Sequence, residues 1–370
     1  MKKLVIIGAN DFQNQLILKA KKLNIETHIF AWKCGADGER TADFFYPISI
    51  TEKEKILRKC EEIKPDGVIS IASDLASITV NYIAENLGLV GNGIESSLMS
   101  TNKYLMRKAF EKGGDPSPKY YCSSEINEEI VSSLQFPLIV KPIDRSGSRG
   151  ITKVKNKEEL FDAVKIAEDL SFDKKAMIEE FVEGDEFSVE YVSYRGKHFF
   201  LALTKKFTTG EPHFIETGHM QPFNIPNDVL VNVKKTVEHA LDTLKIKYGA
   251  SHSEIKIDEY GSIKIIEIGG RMGGDCIGSD LVYLSTGYDF LKFVIQIACG
   301  EKPDIFPTGK KRIAQVKFLF NQDDIDQLEK IKKENPNSIY RISNISRSNI
   351  GQVSDSSTRL GYYILLSDFK

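Results

Sequence analysis

The stretch SHSEIKIDEYGSIKIIEIGGRMGGD, residues 251–275, restricts the fold of this chain more than any other segment. Apolar and polar residues alternate on both sides of Tyr260–Gly261, the period-2 pattern of a β-hairpin with one buried face. Glu254 and Glu267 fall on its two strands, each beside apolar neighbours (Ile255 and Ile257; Ile266 and Ile268). A carboxylate on each of two adjacent strands is a natural clamp for a hard cation such as Mg²⁺, which takes oxygen ligands and bridges phosphates. Arg271 follows in a glycine-rich turn, where a guanidinium can meet an anion beside that metal. The other reading of the same residues is an Arg–Glu cross-strand pair on a solvated face.

The first hundred residues follow a different rule. LVIIG (Leu4–Gly8), THIFAW and GVISIAS (Gly67–Ser73) are short apolar runs, separated by amphipathic stretches over Phe12–Leu23 and residues 52–62 and followed by another over 75–87. This βαβαβα order predicts a parallel sheet covered on both faces. Gly8 reads as a tight strand-to-helix turn or as part of a dinucleotide site, but GANDFQ lacks the further glycines of the Rossmann fingerprint. No P-loop motif occurs in the chain, so this module reads as scaffold.

Between these two regions lie three further signals. FPLIVKPIDRSGSRGI, residues 136–151, is a strand bearing Lys141 and then a loop rich in Ser, Gly and Arg. Such a loop can wrap a polyphosphate with backbone N–H groups, or can be a flexible hairpin with basic decoration. AMIEEFVEGDEFSVEYV, residues 176–192, reads as two strands joined at Glu183–Gly184. KFTTGEPHFIETGHMQP, residues 206–222, is a polar loop containing Lys206, His213, Glu216 and His219. Past CGEKPDIFPTGKK come a strand (Ala314–Phe320), a helix (Asp323–Lys332) and two more strands, with no residues that suggest chemistry.

Composition narrows the class. The chain has 370 residues, 41% hydrophobic and 28% charged, enough for a sizeable core and more than one domain. Fifty Lys and Arg against 52 Asp and Glu, a net charge of −2, argues against a dedicated nucleic-acid binder. No apolar run is long enough for a membrane span, and the short run in MKKLVIIGAN is a first strand rather than a signal peptide. Five scattered cysteines without metal-ligand spacing indicate reduced thiols, hence a cytoplasmic enzyme.

The order of these parts resembles the ATP-grasp superfamily over roughly residues 1–300, in particular carboxylate–amine ligases near the L-amino-acid ligases and carbamoyl-phosphate-synthase-like proteins. The resemblance implies an α/β chain: a parallel-sheet pre-ATP-grasp domain (1–100), then an α+β ATP-grasp domain (101–300) in two parts, about 101–175 and 176–300. A small C-terminal α+β domain (301–370) would follow. It implies ATP and Mg²⁺ as cofactors, with Mn²⁺ as a substitute, and a small carboxylate and an amine as substrates; a homodimer is the expectation only because dimers are the commonest soluble assembly.

Carried over by position, Lys103 and Lys141 would contact the ATP phosphates, Lys141 also lying near the adenine. Ser146, Gly147, Ser148 and Gly150 would close over the β- and γ-phosphates. Glu179, Glu180 and Val182 would form the adenine hinge, and Glu186 would accept from the ribose hydroxyls. Glu254 and Glu267 would hold the metal, and Arg271, with Lys141, would act in catalysis on the transferred phosphoryl. Glu216, His219, His252, Gly273, Gly274 and Asp275 occupy substrate-proximal positions. Many members carry an asparagine two residues after the second glutamate as a further metal ligand, where this chain has Gly269. The implied reaction is phosphorylation of the carboxylate to an acyl phosphate, then amide formation with release of ADP and phosphate. The competing expectations are an ATP-binding sensor or subunit without turnover, and a carboxylase or purine-pathway relative on the same scaffold.

Overall fold

The computed structural model describes residues 1–211, 214–348 and 350–369; His213 lies outside them. Four strands form the first sheet: β1 (Lys3–Ile7), β2 (Glu26–Phe30), β3 (Phe44–Tyr46) and β4 (Gly67–Ile69). They are parallel in the order β3-β2-β1-β4. Helices on both faces bury β1 almost completely past Lys3, which is why Leu4–Ile7 is apolar throughout rather than alternating. β3 was not expected from the sequence, and GVISIAS forms a strand only over its first three residues. The rest of that segment, Ser70–Ser73, turns out of the sheet and leads into the helix Asp74–Leu87, capped by the Ser73 hydroxyl accepting from Ala76 N–H.

The second sheet contains β5 (Tyr120–Cys122), β6 (Leu138–Pro142), β7 (Thr152–Val154) and β8 (Ala176–Glu180), in the order β5-β8-β6-β7. The helix Lys157–Leu170 packs on it through Leu160, Ala163 and Ala167 and closes a small core of its own. Helix Lys103–Gly113 stands between this sheet and the next.

The third sheet has eight strands: β9 (Asp185–Tyr194), β10 (Lys197–Thr208), β11 (Glu216–Gln221), β12 (Gly249–Ile257), β13 (Ile263–Gly269), β14 (Ile313–Leu319), β15 (Ile339–Ile342) and β16 (Gly361–Ser367). Their order is β13-β12-β9-β10-β11-β14-β16-β15, and neighbouring strands are antiparallel. The strands joined at Glu183–Gly184 lie in different sheets, β8 in the second and β9 in the third. Gly184 makes this crossing possible: its φ is +116°, and a Cβ there would lie 2.5 Å from the Ile257 carbonyl oxygen. The last seventy residues form no sheet of their own. β14 hydrogen-bonds to β11, and β16 and β15 follow, because the β11 edge would otherwise expose unpaired backbone groups.

The first and third sheets share one core. The helix Phe290–Ala298 places Phe290, Phe293, Val294 and Ile297 between Leu4, Ile6 and Ile29 on one side and Val192, Leu201 and Ala250 on the other. Among the described residues no helix is long and apolar enough to cross a membrane.

Candidate active site

Two cations on one helix join the second and third sheets. Asn102 caps the helix by accepting from Tyr104 N–H and Leu105 N–H, and Lys103 and Arg107 then lie one turn apart on its buried face. Lys103 Nζ donates to Glu267 Oε1 at 3.0 Å and to the Arg145 carbonyl at 2.7 Å. Arg107, fully buried, donates from Nη2 to the Ile266 carbonyl at 2.6 Å, and its Nε is 2.7 Å from Glu179 Oε1. The other Glu179 oxygen is 2.6 Å from Lys141 Nζ. Burial opposes the Glu179 charge, but Arg107 and Lys141 hold its carboxyl below the usual range. Burial, aided by Arg107 and Lys103, pulls the Lys141 ammonium below its usual value in spite of Glu179. The Glu179 side chain is thus committed to the two cations.

On the third sheet the two expected metal ligands are direct register partners, Glu254 opposite Glu267. Lys206 Nζ lies 2.7 Å from Glu254, 2.8 Å from Glu186 and 3.8 Å from Glu216. Burial disfavours the Lys206 charge, yet these three carboxylates hold its pKa well above the ordinary value. His252 Nδ1 pairs with the fully buried Glu190 at 2.6 Å, and its Nε2 lies 3.4 Å from Glu254. Burial works against the imidazolium, but Glu190 and Glu254 raise the His252 pKa to about 9. Burial likewise opposes ionised Glu254, and Lys206 and His252 outweigh it, so this carboxyl sits well below its normal range.

The Ser/Gly loop lies across the mouth of this arrangement. Asp144 anchors it by accepting from the backbone N–H of Phe172 and Asp173 and from the Ser171 hydroxyl. Gly147 and Ser148 both have positive φ, and Ser148 Oγ reaches Glu216 Oε2 at 3.5 Å. Arg271 enters from the opposite side. Its Nε and Nη2 donate to the two oxygens of Asp74 at 2.7 and 3.0 Å. Burial opposes both charges, but each holds the other ionised: Asp74 below its usual range, Arg271 above.

One open cleft is lined by fourteen of the expected site residues: Lys103, Lys141, Ser146, Gly147, Ser148, Glu179, Glu180, Val182, Glu186, Glu216, His252, Glu254, Glu267 and Arg271. Its apolar end includes Pro118, Ile139, Phe181 and Ile266, with the Val182 carbonyl accepting from Lys256 Nζ at 2.9 Å. Gly150, His219, Gly273, Gly274 and Asp275 are not part of this lining. Gly150 serves packing, since a Cβ would lie 2.7 Å from Leu170 Cδ1. Gly273 does the same for the histidine pair, since its Cβ would lie 2.7 Å from His252 Nδ1. His219 and Asp275 form a second layer with a residue the sequence did not single out: Asp275 accepts from Arg359 Nη2 at 2.7 Å and lies 3.7 Å from His219 Nε2. Ser356 donates to Glu216 at 2.8 Å, so the last seventy residues do contact the site.

Lys206, which the sequence reading placed in a polar loop without a role, lies in β10, and Arg107, Glu190, Asp74, Arg359 and Ser356 escaped that reading. Two of them left a trace. Arg107 is a charge on the apolar stripe of its helix beside Met106 and Phe110, and Lys206 sits in a strand otherwise rich in apolar residues. Either pattern marks a buried charge that needs a partner. Asp74 and Arg359 meet their partners only through tertiary contacts.

Among the described residues there is no group of three or more His, Cys, Asp or Glu placed to hold a metal. Glu254 and Glu267 nevertheless suit Mg²⁺, which typically takes one or two protein carboxylates and completes its shell with phosphate oxygens and water. Gly269 offers no third side chain, and its place is filled: a Cβ there would be 3.2 Å from Arg271 Cζ and 3.3 Å from Asp74 Oδ1.

Residues 134–280 match the ATP-grasp domain. The chain is 26% identical over 304 residues to alanine–anticapsin ligase of Bacillus subtilis, an alignment covering 72% of this chain and 64% of that protein. It spans less than two thirds of that relative's length. The crystal structure of an L-amino acid ligase from Bacillus licheniformis superposes with a TM-score of 0.82 at 21% identity, covering 100% of this chain and 94% of that one. The phosphoribosylglycinamide synthetase structure from Anaerococcus prevotii gives a TM-score of 0.77 at 22% identity, covering 100% and 94%. At these identities the two structures establish a shared fold.

Proposed function

This chain carries an ATP-grasp domain, and from that premise we propose that it is an ATP- and Mg²⁺-dependent ligase joining a small carboxylate to an amine. The observation that carries the reading is the single cleft in which Lys103, Lys141 and Arg271 surround the space faced by the paired carboxylates Glu254 and Glu267. The similarity to alanine–anticapsin ligase supports an amino acid among the substrates.

In this reading a carboxylate oxygen of the substrate attacks the γ-phosphorus, the bond to the β-phosphate oxygen breaks and ADP leaves. The amine then attacks the acyl carbon, phosphate departs and the amine loses a proton. Glu254 and Glu267 would hold Mg²⁺, which when bound would supply neutralisation of the phosphate charge. Lys103 and Lys141 bind the phosphates, Arg271 steadies the transferred phosphoryl, and Ser146–Ser148 close over it. Little covalent help is needed from the protein, because positioning and electrostatics dominate phosphoryl transfer. Water must be kept out, since it would hydrolyse an acyl phosphate. Glu216 and His252, which line the cleft beside Lys206 and Glu254, and the Asp275–Arg359 pair shape the substrate end.

The test is phosphate release with ATP, Mg²⁺ and pooled amino acids. Stimulation by the pool, with ADP as the nucleotide product, is expected. Formation of AMP and pyrophosphate would overturn the reading.

A further inference from the structure

The first sheet delivers a residue into this chemistry. Its strand β4 ends at Ile69, and the segment beyond it docks on the turn that carries Arg271: Ala72 N–H donates to the Met272 carbonyl at 3.2 Å. The Ser73 cap then starts the helix Asp74–Leu87 with the Asp74 carboxylate directed at the guanidinium. The contact is bidentate, the geometry in which a carboxylate fixes both the position and the plane of an arginine. Nη1 is left with one long contact, 3.4 Å to the Met272 carbonyl, while Arg271 lines the cleft. The partners are 197 residues apart in sequence, and both are largely buried. Gly269 leaves the room they occupy.

We propose that Asp74 is a positioning residue for the phosphoryl-transfer step: it holds Nε and Nη2 of Arg271 so that the remaining donors of the guanidinium face the transferred phosphoryl group. The parallel-sheet module is then part of the active site, because it supplies the seat of an arginine that belongs to the third sheet. This rests on the ligase reading for the identity of the transferred group, and the experiment separates the two.

Wild type and Asp74→Asn are compared in two measurements. The first is substrate-stimulated phosphate release, read as kcat and as KM for ATP. The second needs no carboxylate substrate: affinity for Mg·ADP alone, and for Mg·ADP with aluminium fluoride, a mimic of the phosphoryl in transfer. The expected result is a kcat lower by roughly 10- to 100-fold with KM for ATP within threefold, as a misplacement of about 1 Å produces. Affinity for Mg·ADP stays within threefold while the added affinity conferred by aluminium fluoride falls about tenfold. Gly269→Ala, which crowds the guanidinium but keeps Asp74, is expected to repeat this signature should Asp74→Asn fail to fold. Unchanged aluminium fluoride affinity in a folded variant overturns the positioning role. A wild type without stimulated phosphate release, but with the aluminium fluoride difference intact, overturns the ligase reading and supports Asp74. Failure of wild type to bind Mg·ADP overturns both.

Discussion

Glu254 stands directly opposite Glu267 across β12 and β13, and each is held by a lysine from a different part of the chain, Lys206 at 2.7 Å and Lys103 at 3.0 Å. Each carboxylate thus has its own counter-charge within the protein. Glu267→Gln keeps the shape of the side chain and removes its charge, so phosphate release at saturating ATP and Mg²⁺ should fall by about 100-fold or more. Titration with ADP in the absence of Mg²⁺ should give nearly the wild-type affinity. A Gln variant that turns over normally would overturn the proposed role of Glu267 as a metal ligand.

The Asp275–Arg359 pair predicts a dependence of stability on acid. Burial would raise the Asp275 pKa, but Arg359 and His219 outweigh it and hold the carboxyl below its usual range. A carboxyl with a lowered pKa in the folded state adds stability that is complete above its unfolded value of about 3.9 and is lost as pH falls below it. Asp275→Asn should therefore cost about 2 kcal/mol at pH 7, between the values for exposed and fully buried pairs. The difference should shrink as pH falls from about 5 toward 3. Denaturant unfolding at pH 7 and near pH 3 measures both points, and an equal difference at the two pH values would contradict the pair's role.

The parts legible in the sequence were those carried by local pattern. The alternation around Tyr260–Gly261 located Glu254 and Glu267, and the apolar runs near Leu4 and Gly67 marked a parallel sheet. What stayed hidden depends on partners far apart in the chain. Lys206 has three carboxylates around it only because β10, β9, β12 and β11 lie side by side. Arg359 reaches Asp275 because β14 pairs with β11 and carries the C-terminal strands to that side. Residues 301–370 looked empty of chemistry because Ser356 and Arg359 are ordinary surface types that meet Glu216 and Asp275 only through this sheet order.

Arg107 gives a prediction that separates stability from nucleotide binding. Its guanidinium holds Glu179 from one side while Lys141 holds it from the other. Arg107→Met keeps much of the apolar stem and leaves Glu179 with one buried partner. Loss of one member of a buried ionic cluster costs about 3–5 kcal/mol. Lys141, now the sole counter-charge to Glu179, should be drawn away from the phosphates. ADP affinity is therefore expected to drop roughly tenfold beyond any effect of unfolding. A triple variant Arg107→Met/Lys141→Met/Glu179→Met should regain much of the stability, since it leaves no charge of the cluster unpaired. Its melting temperature checks this directly, and no recovery would mean that the cost lies in packing rather than charge.

Gly269 tests whether the site lacks a metal ligand or has exchanged one for something else. A side chain at this position would enter the space of Arg271 Cζ and Asp74 Oδ1, at 3.2 and 3.3 Å from its Cβ. Adding an asparagine therefore cannot simply add a ligand: its amide competes with the guanidinium for the same volume. Gly269→Asn should lower stability by about 1–3 kcal/mol through overpacking. Phosphate release should fall by at least tenfold as the Arg271–Asp74 contact opens. Affinity for Mg²⁺ in the presence of ADP should not improve. If it did improve, with Arg271 function retained, the glycine would be a plain deficiency in metal binding. The expected loss would instead make it the space that lets a carboxylate from the first sheet reach an arginine on the third.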